Sequence, residues 1–239
     1  WISISNSYSV TGAADVYKVT MRKVELCTAS TGVTSCENPV VIGSGDKVID
    51  IASVSAGSAA ASYGDPALLP LGETYTHMRV TIDRKFIIKN STAIAAGSNA
   101  TACRTIATTD AMYVTDEATD KYTHKPVIAN NQTAAEMNVY LINDQYTRCN
   151  LANCSNKTDD QDQTYPQGTG SSTYQSQHAD GSSDTDHILV YKLTSPYTVA
   201  LISPTIDISF GTSAAVGAQE VNSLCQIWAE EPVVTITIN

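Results

Sequence analysis

Apolar side chains fall on alternate positions over much of this chain, and no stretch sustains the 3.6-residue spacing of a helix. A period of two places a row of side chains on one face of an extended strand, which restricts the chain to sheets with one face covered. Residues 1–5 carry Ile2 and Ile4 on one face. Over 16–26 the row starts as Tyr17, Val19 and Met21, then changes phase to Val24 and Leu26; this one-residue slip predicts a bulge near Lys23. Residues 38–42 and 47–51 read as two strands around a hairpin turn at Gly43-Ser44-Gly45. The 77–88 segment sets Met78, Val80 and Ile82 on one face, and 111–115 and 136–142 read as further strands. Five more follow at 187–193, 198–202, 205–210, 223–228 and 233–238, punctuated by Pro196, Pro204, Gly211, Gly217 and Pro232. Short strands at regular intervals predict an all-β chain, a sandwich or a barrel. The 239 residues suffice for one domain spanning 1–239, with short terminal strands at 1–10 and 232–239 and no internal repeat.

Between 143 and 186 the alternation lapses. The stretch holds almost no aliphatic residues and many Ser, Thr, Gln, Asp and Gly, so it reads as a long polar surface loop inserted into the sandwich.

Six cysteines, at 27, 36, 103, 149, 154 and 225, indicate a disulfide framework, for which fifteen connectivities exist. Proximity favours Cys27 with Cys36 and Cys149 with Cys154, leaving Cys103 for Cys225. That last bridge closes a loop of over a hundred residues and contributes most, roughly 4–5 kcal/mol, in the chain-entropy account. A metal site is the rival, but no CxxC occurs and no histidine stands at ligand spacing from a cysteine. The chain opens at Trp1, read as a mature N-terminus left after export, and no apolar run approaches the ~18 residues of a membrane span. Asn90, Asn99, Asn131, Asn153 and Asn156 head Asn-x-Ser/Thr sequons, candidate glycan acceptors on an extracellular or cell-surface protein. Only 16% of residues are charged, against about 25% in an average soluble domain. The net charge of −10 and the scattered 14 basic residues argue against nucleic-acid binding.

The first third of the chain has a recognisable pattern. A strand reading VTMRKVEL is followed by VIDIASVSAG and then by Leu69-Pro70-Leu71-Gly72-Glu73-Thr74-Tyr75-Thr76-His77-Met78-Arg79. Over about 10–90 this resembles a family of exported bacterial β-sandwich domains of unknown function, which carry a Leu-Pro-x-Gly-x-Tyr-x-x-x-Arg turn and strand. The resemblance implies an immunoglobulin-like or prealbumin-like sandwich at the cell surface and brings no catalytic residues with it. In the turn, Pro70 and Gly72 set the hairpin and Tyr75 is placed to cap one end of the sandwich.

No residue pattern nominates a catalytic site. Gly-x-Ser-x-Gly is absent, and no cysteine stands out as a thiolate nucleophile. His178 and His187 flank an acidic stretch with Asp180, Asp184 and Asp186, and Asp159, Asp160 and Asp162 form a similar cluster. Neither spacing matches an EF-hand or a zincin, so both read as solvated polar loop, with no metal and no cofactor expected. Glu230 and Glu231 read as charges at a sheet edge, because neighbours on a strand point to opposite faces.

The two ends are alternating and free of charge over 1–5 and 234–239. A terminal strand of this kind can complete the sheet of a neighbouring copy by β-strand addition, with Trp1, Ile2 and Ile4 filling pockets on the acceptor. Head-to-tail contacts of that type do not close and so generate filaments. The expected function is therefore a structural subunit of an extracellular filament or pilus-like surface fibre. Its partner is itself, and the 1–5 strand is the favoured donor. The alternative is a monomeric adhesive or carbohydrate-binding module that contacts glycans or a host surface through 143–186, with Tyr146, Tyr165 and Tyr174 as sugar-stacking residues.

Overall fold

The computed structural model describes residues 10–31, 35–53, 69–96, 101–107, 133–140, 163–165, 174–178, 186–201, 204, 206–221, 224–230 and 232–238. Within them the chain is all-β and every strand pair is antiparallel. The strands are β1 (Val10–Gly12), β2 (Val16–Cys27), β3 (Val40–Asp50), β4 (Thr74–Lys89), β5 (Ile94–Ala96), β6 (Thr101–Cys103) and β7 (Met137–Tyr140). After them come β8 (Gln163–Tyr165), β9 (Tyr174–His178), β10 (Asp186–Thr198), β11 (Ile206–Gly211), β12 (Val216–Val221), β13 (Leu224–Ala229) and β14 (Val233–Ile238). None of the described residues form a helix long and apolar enough to cross a membrane.

The largest sheet runs β3-β2-β4-β10-β9-β8, with β7 paired to β4 beyond the end of β10. Its inner face is the alternation read from sequence: Tyr17 and Val19 on β2, Met78, Val80, Ile82, Phe86 and Ile88 on β4, Leu189, Tyr191 and Leu193 on β10, all buried. Three smaller sheets complete the fold, β1-β12-β13, β11-β14 and β5-β6, and their apolar faces join the same core. Cys103 on β6 is bonded to Cys225 on β13, and Cys27 at the end of β2 to Cys36. Both bridges match the pairing expected from sequence; Cys149 and Cys154 lie outside the described residues.

The phase slip in β2 is a bulge. Between the pairs Met21–Ile82 and Lys23–Thr81, β2 uses two residues where β4 uses one, so Arg22 is extra and the inward row moves from odd to even positions. Just before it, β4 uses four residues where β2 uses two, which leaves the parity of β4 intact. Arg22 ties the irregular zone together: its Nη2 stands 2.6 Å from Asp83 Oδ2 on β4 and its Nε 3.8 Å from Asp46 Oδ1 on β3.

Several sequence expectations need correcting. Gly43-Ser44-Gly45 is not a hairpin turn, because β3 runs unbroken alongside β2 and absorbs these residues as two register shifts, with Gly45 at φ +100°. A turn there would require the chain to reverse, and the ladder to β2 continues on both sides instead. Residues 187–193 and 198–202 are not two strands: β10 passes through Pro196 with a shift between Lys192 and Tyr197, and the chain beyond Thr198 has left the ladder. The 143–186 stretch is not loop throughout, since β8 and β9 extend the large sheet from within it using hydroxyl, amide and Tyr residues. The strand β12 was missed because its Val216 and Ala218 are separated by glycine. Gly217 is needed because a Cβ there would lie 2.2 Å from the Trp228 indole of its ladder partner. The 111–115 segment lies outside the described residues.

Candidate functional site

The inner face of the large sheet is buried, yet its packing leaves a gap. Between this face and the β11-β14 pair runs an apolar groove of about 60 Å³, partly open to solvent. Val19, Met78, Val80 and Leu189 are among its floor residues, while Ile208, Phe210, Pro232 and Val234 form the facing wall. An apolar void of ~150 Å³ admits benzene, so a space of this size suits about one aliphatic side chain. Left unfilled it costs roughly 1–2 kcal/mol at the usual dependence on cavity volume.

Tyr17 anchors part of the groove lining. Tyr17 lies in its lining, fully buried, with its ring edge-on to Phe86 at a centroid distance of 5.5 Å and an interplanar angle of 74°. The Tyr17 hydroxyl donates to the Glu230 carbonyl at 2.8 Å, and the Tyr17 amide donates to Asp50 Oδ1 at 2.9 Å. Glu230 links β13 to the start of β14. Its carboxylate accepts from Trp228 Nε1 at 2.5 Å. Burial pushes its pKa up, against the lowering effect of the Trp228 hydrogen bond. Glu230 is therefore a half-buried hydrogen-bonded group rather than the free edge charge expected from sequence; position within the connection, not strand parity, sets its environment.

The opposite face of the large sheet bears polar rows. Glu25 on β2 stands opposite Arg79 on β4, which stands opposite Val190 on β10. Arg79 Nε donates to Glu25 Oε2 at 2.8 Å, Lys23 Nζ is 3.3 Å from Glu25 Oε1, and the Glu25 side chain is only 5% exposed. Burial by itself raises the Glu25 pKa, but the hydrogen bond and charge of Arg79, helped by Lys23, outweigh it and hold the group below its ordinary range. One row away, His77 is opposite both Cys27 and Lys192, and burial with the Lys192 charge lowers its pKa. Arg79 closes the turn-and-strand motif of 69–79. Leu69 and Tyr75 of that motif are buried, and Gly72 takes φ +80°.

The residues expected to act in recognition are distributed as follows. Trp1, Ile2 and Ile4 lie outside the described residues, as do Tyr146, Asn99, Asn131, Asn153 and Asn156. Asn90 is described, and it corrects the reading of its sequon as a glycan acceptor. It is fully buried, with Nδ2 donating to the carbonyls of Thr92 (3.0 Å) and Cys103 (3.2 Å) and Oδ1 accepting from the Thr105 amide at 2.8 Å. The amide nitrogen that would carry a sugar is engaged inside the fold. Tyr165 and Tyr174 are direct partners across β8 and β9, and His178 and His187 across β9 and β10. Among the described residues no group of three or more His, Cys, Asp or Glu is placed to hold a metal ion. The groove itself was missed by sequence reasoning, since its walls come from strands about two hundred residues apart and its lining residues, Pro232 aside, read as ordinary core.

No family model, curated protein or solved structure matches the chain.

Proposed function

We propose that this protein is a structural, non-enzymatic subunit of an extracellular filament or pilus-like surface fibre, assembled by β-strand donation between neighbouring copies. The resemblance of 10–90 to exported bacterial sandwich domains of immunoglobulin or prealbumin type belongs to the same proposal. The observation that carries it is the apolar groove. A small gap lined almost wholly by aliphatic and aromatic side chains suits the side chain of an added strand with aliphatic residues at alternate positions. Main-chain hydrogen bonds along a sheet edge would supply affinity, and each buried aliphatic side chain about 1.5–3 kcal/mol.

The fate of the other end supports the choice of donor. The alternating segment Val234-Thr235-Ile236-Thr237-Ile238 is built into the fold as β14, paired along its whole length to β11, with Val234 and Ile236 buried. Residues 1–5, with Trp1, Ile2 and Ile4, are the other alternating segment and the proposed donor. Two formed disulfides suit an oxidising extracellular setting.

Negative-stain microscopy of the purified full chain tests the reading. Regular fibres are expected, and deletion of residues 1–5 is expected to abolish them. A chain that stays monomeric at high concentration, or fibres that survive the deletion, would overturn it. The second reading, a surface adhesive or glycan-binding module, draws on the Tyr165–Tyr174 pairing within the polar 143–186 region. Glycan-array binding by a strictly monomeric protein would favour it.

A further inference from the structure

The two described bridges stand in opposite surroundings. Cys103 and Cys225 are both fully buried, so a reagent reaches their bond only when the fold opens. The Cys27–Cys36 bridge is lopsided. Cys27, at the end of β2, is fully buried, whereas Cys36 is partly exposed in the chain that leads towards β3. An attacking thiolate approaches one sulfur and expels the other. Cys36 is therefore the sulfur open to attack, and Cys27 the one that leaves.

The chain around this bond is held without it. The Thr28 amide donates to the Glu37 carbonyl at 3.0 Å, and the Glu37 amide donates to the Ala29 carbonyl at 3.0 Å. The Thr28 hydroxyl also donates to the Glu37 carbonyl at 3.2 Å and accepts from Asn38 Nδ2 at 3.2 Å. These contacts keep the two cysteines side by side when the S–S bond breaks, so opening is local and the bond can re-form.

The leaving sulfur has an imidazole opposite it. His77 is the direct ladder partner of Cys27, which sets their Cβ atoms about 4.5–5.5 Å apart on one face of the sheet. Thr76 Oγ1 gives its single proton to the Thr28 carbonyl at 2.7 Å. In its 2.7 Å contact with His77, the ring Nδ1–H is accordingly the donor, and Nε2 carries the basic lone pair. Lys192 stands opposite His77 on the next strand and adds positive charge to the row, which favours a thiolate at Cys27. Glu25, two residues back on the same face, is paired with Arg79 and Lys23.

We propose that Cys36 is a thiol-exchange site, at which a low-molecular-weight thiol opens the bridge to a mixed disulfide and releases Cys27. The incoming thiol gives its proton to His77 Nε2, and its sulfur lone pair forms the new S–S bond to Cys36. The Cys27–Cys36 bond breaks with its electron pair on Cys27, and that thiolate takes the proton from His77. One thiol and one disulfide thus give one thiol and one disulfide, with no net oxidation. The site is independent of strand donation.

Peptide mapping of the full-length protein tests the assignment. Native protein is held in a buffer of reduced and oxidised glutathione, quenched with acid at early times, and its free thiols are alkylated before digestion. The expected product carries glutathione on Cys36 and an alkylated Cys27, with Cys103 still joined to Cys225. The Cys27–Cys36 bridge is expected to open at least about a hundredfold faster than Cys103–Cys225, because a bond reached only through global unfolding is accessible in ~10⁻³ of molecules or fewer. Glutathione mainly on Cys27, similar opening rates for the two bridges, or no adduct without denaturant would each overturn the proposal. Removing the glutathione is expected to restore the bridge with unchanged near-ultraviolet dichroism. A bridge that fails to re-form would overturn the claim that local hydrogen bonds keep the two cysteines together. His77→Gln, its fold checked by the same dichroism, is expected to slow adduct formation about tenfold or more. An unchanged rate would remove His77 from the step.

Discussion

Glu25 is almost fully withdrawn from water and its partner Arg79 is partly buried, yet each sits on the face of its strand that the alternation marks as outward. A buried pair is costly to break from one side because the remaining charge is left unpaired. Glu25→Gln is expected to cost about 3 kcal/mol in chemical denaturation, with most of that loss absent when Arg79 is already Met. The pH sense follows from the lowered pKa: the contribution is present above the ordinary glutamate range and fades as pH falls through the native value. Glu230 runs the other way. Its raised pKa means the native state holds the proton more tightly than the unfolded chain, so its contribution is full below about 4.5 and is lost as pH rises through the native value. Glu230→Gln keeps an acceptor for Trp228 and is expected to remove that loss, so that denaturant midpoints of the variant decline less than those of the parent from pH 4.5 to 7. Asn90 is a third residue whose type is dictated from within the fold. Asn90→Asp sets a carboxylate oxygen against two backbone carbonyls and is expected to cost at least about 2 kcal/mol by thermal or chemical unfolding.

Strand irregularities, not strand interiors, carry the information at the scale of elements. The extra Arg22 moves the inward row of β2 from Tyr17 and Val19 to Val24 and Leu26, and its guanidinium bridges Asp83 and possesses a longer contact to Asp46. Deleting Arg22 would restore a single phase and send one half of β2 to the wrong face. The variant is expected to lose cooperative unfolding and native near-ultraviolet dichroism, whereas Arg22→Gln, which keeps the count, is expected to retain both. The same zone explains β3. Its Gly43-Ser44-Gly45 looks like a turn in isolation, and the neighbouring strand converts it into a pair of bulges that follow the distortion across the sheet.

Across the whole molecule the long-range bridge matters most. Cys103–Cys225 spans 122 residues and fastens β6 to β13, while Cys27–Cys36 spans nine. In the loop-entropy account these are worth roughly 5 and 2.5 kcal/mol, so Cys103→Ala with Cys225→Ala is expected to lower stability about twice as much as Cys27→Ala with Cys36→Ala. Comparison of denaturant midpoints for the two double variants checks the ratio.

What the chain by itself determined was local: strand period, the face each strand buries, the count of residues that forces a bulge after Met21, and the proximity that pairs Cys27 with Cys36. These depend on neighbours two to ten residues away, and the two-residue period states them directly. The tertiary structure alone decided how the described strands pair, where Gly43-Ser44-Gly45 bends, that Asn90 faces inward, and that the packing of β11 and β14 on the large sheet leaves a groove. Each of these is set by partners brought from far along the chain, as Ile82 and Ile208 meet at one cavity. The physical reason is that burial and hydrogen-bond satisfaction are properties of the assembled contacts, and a residue pattern states only what a strand wants to bury, not what arrives to cover it.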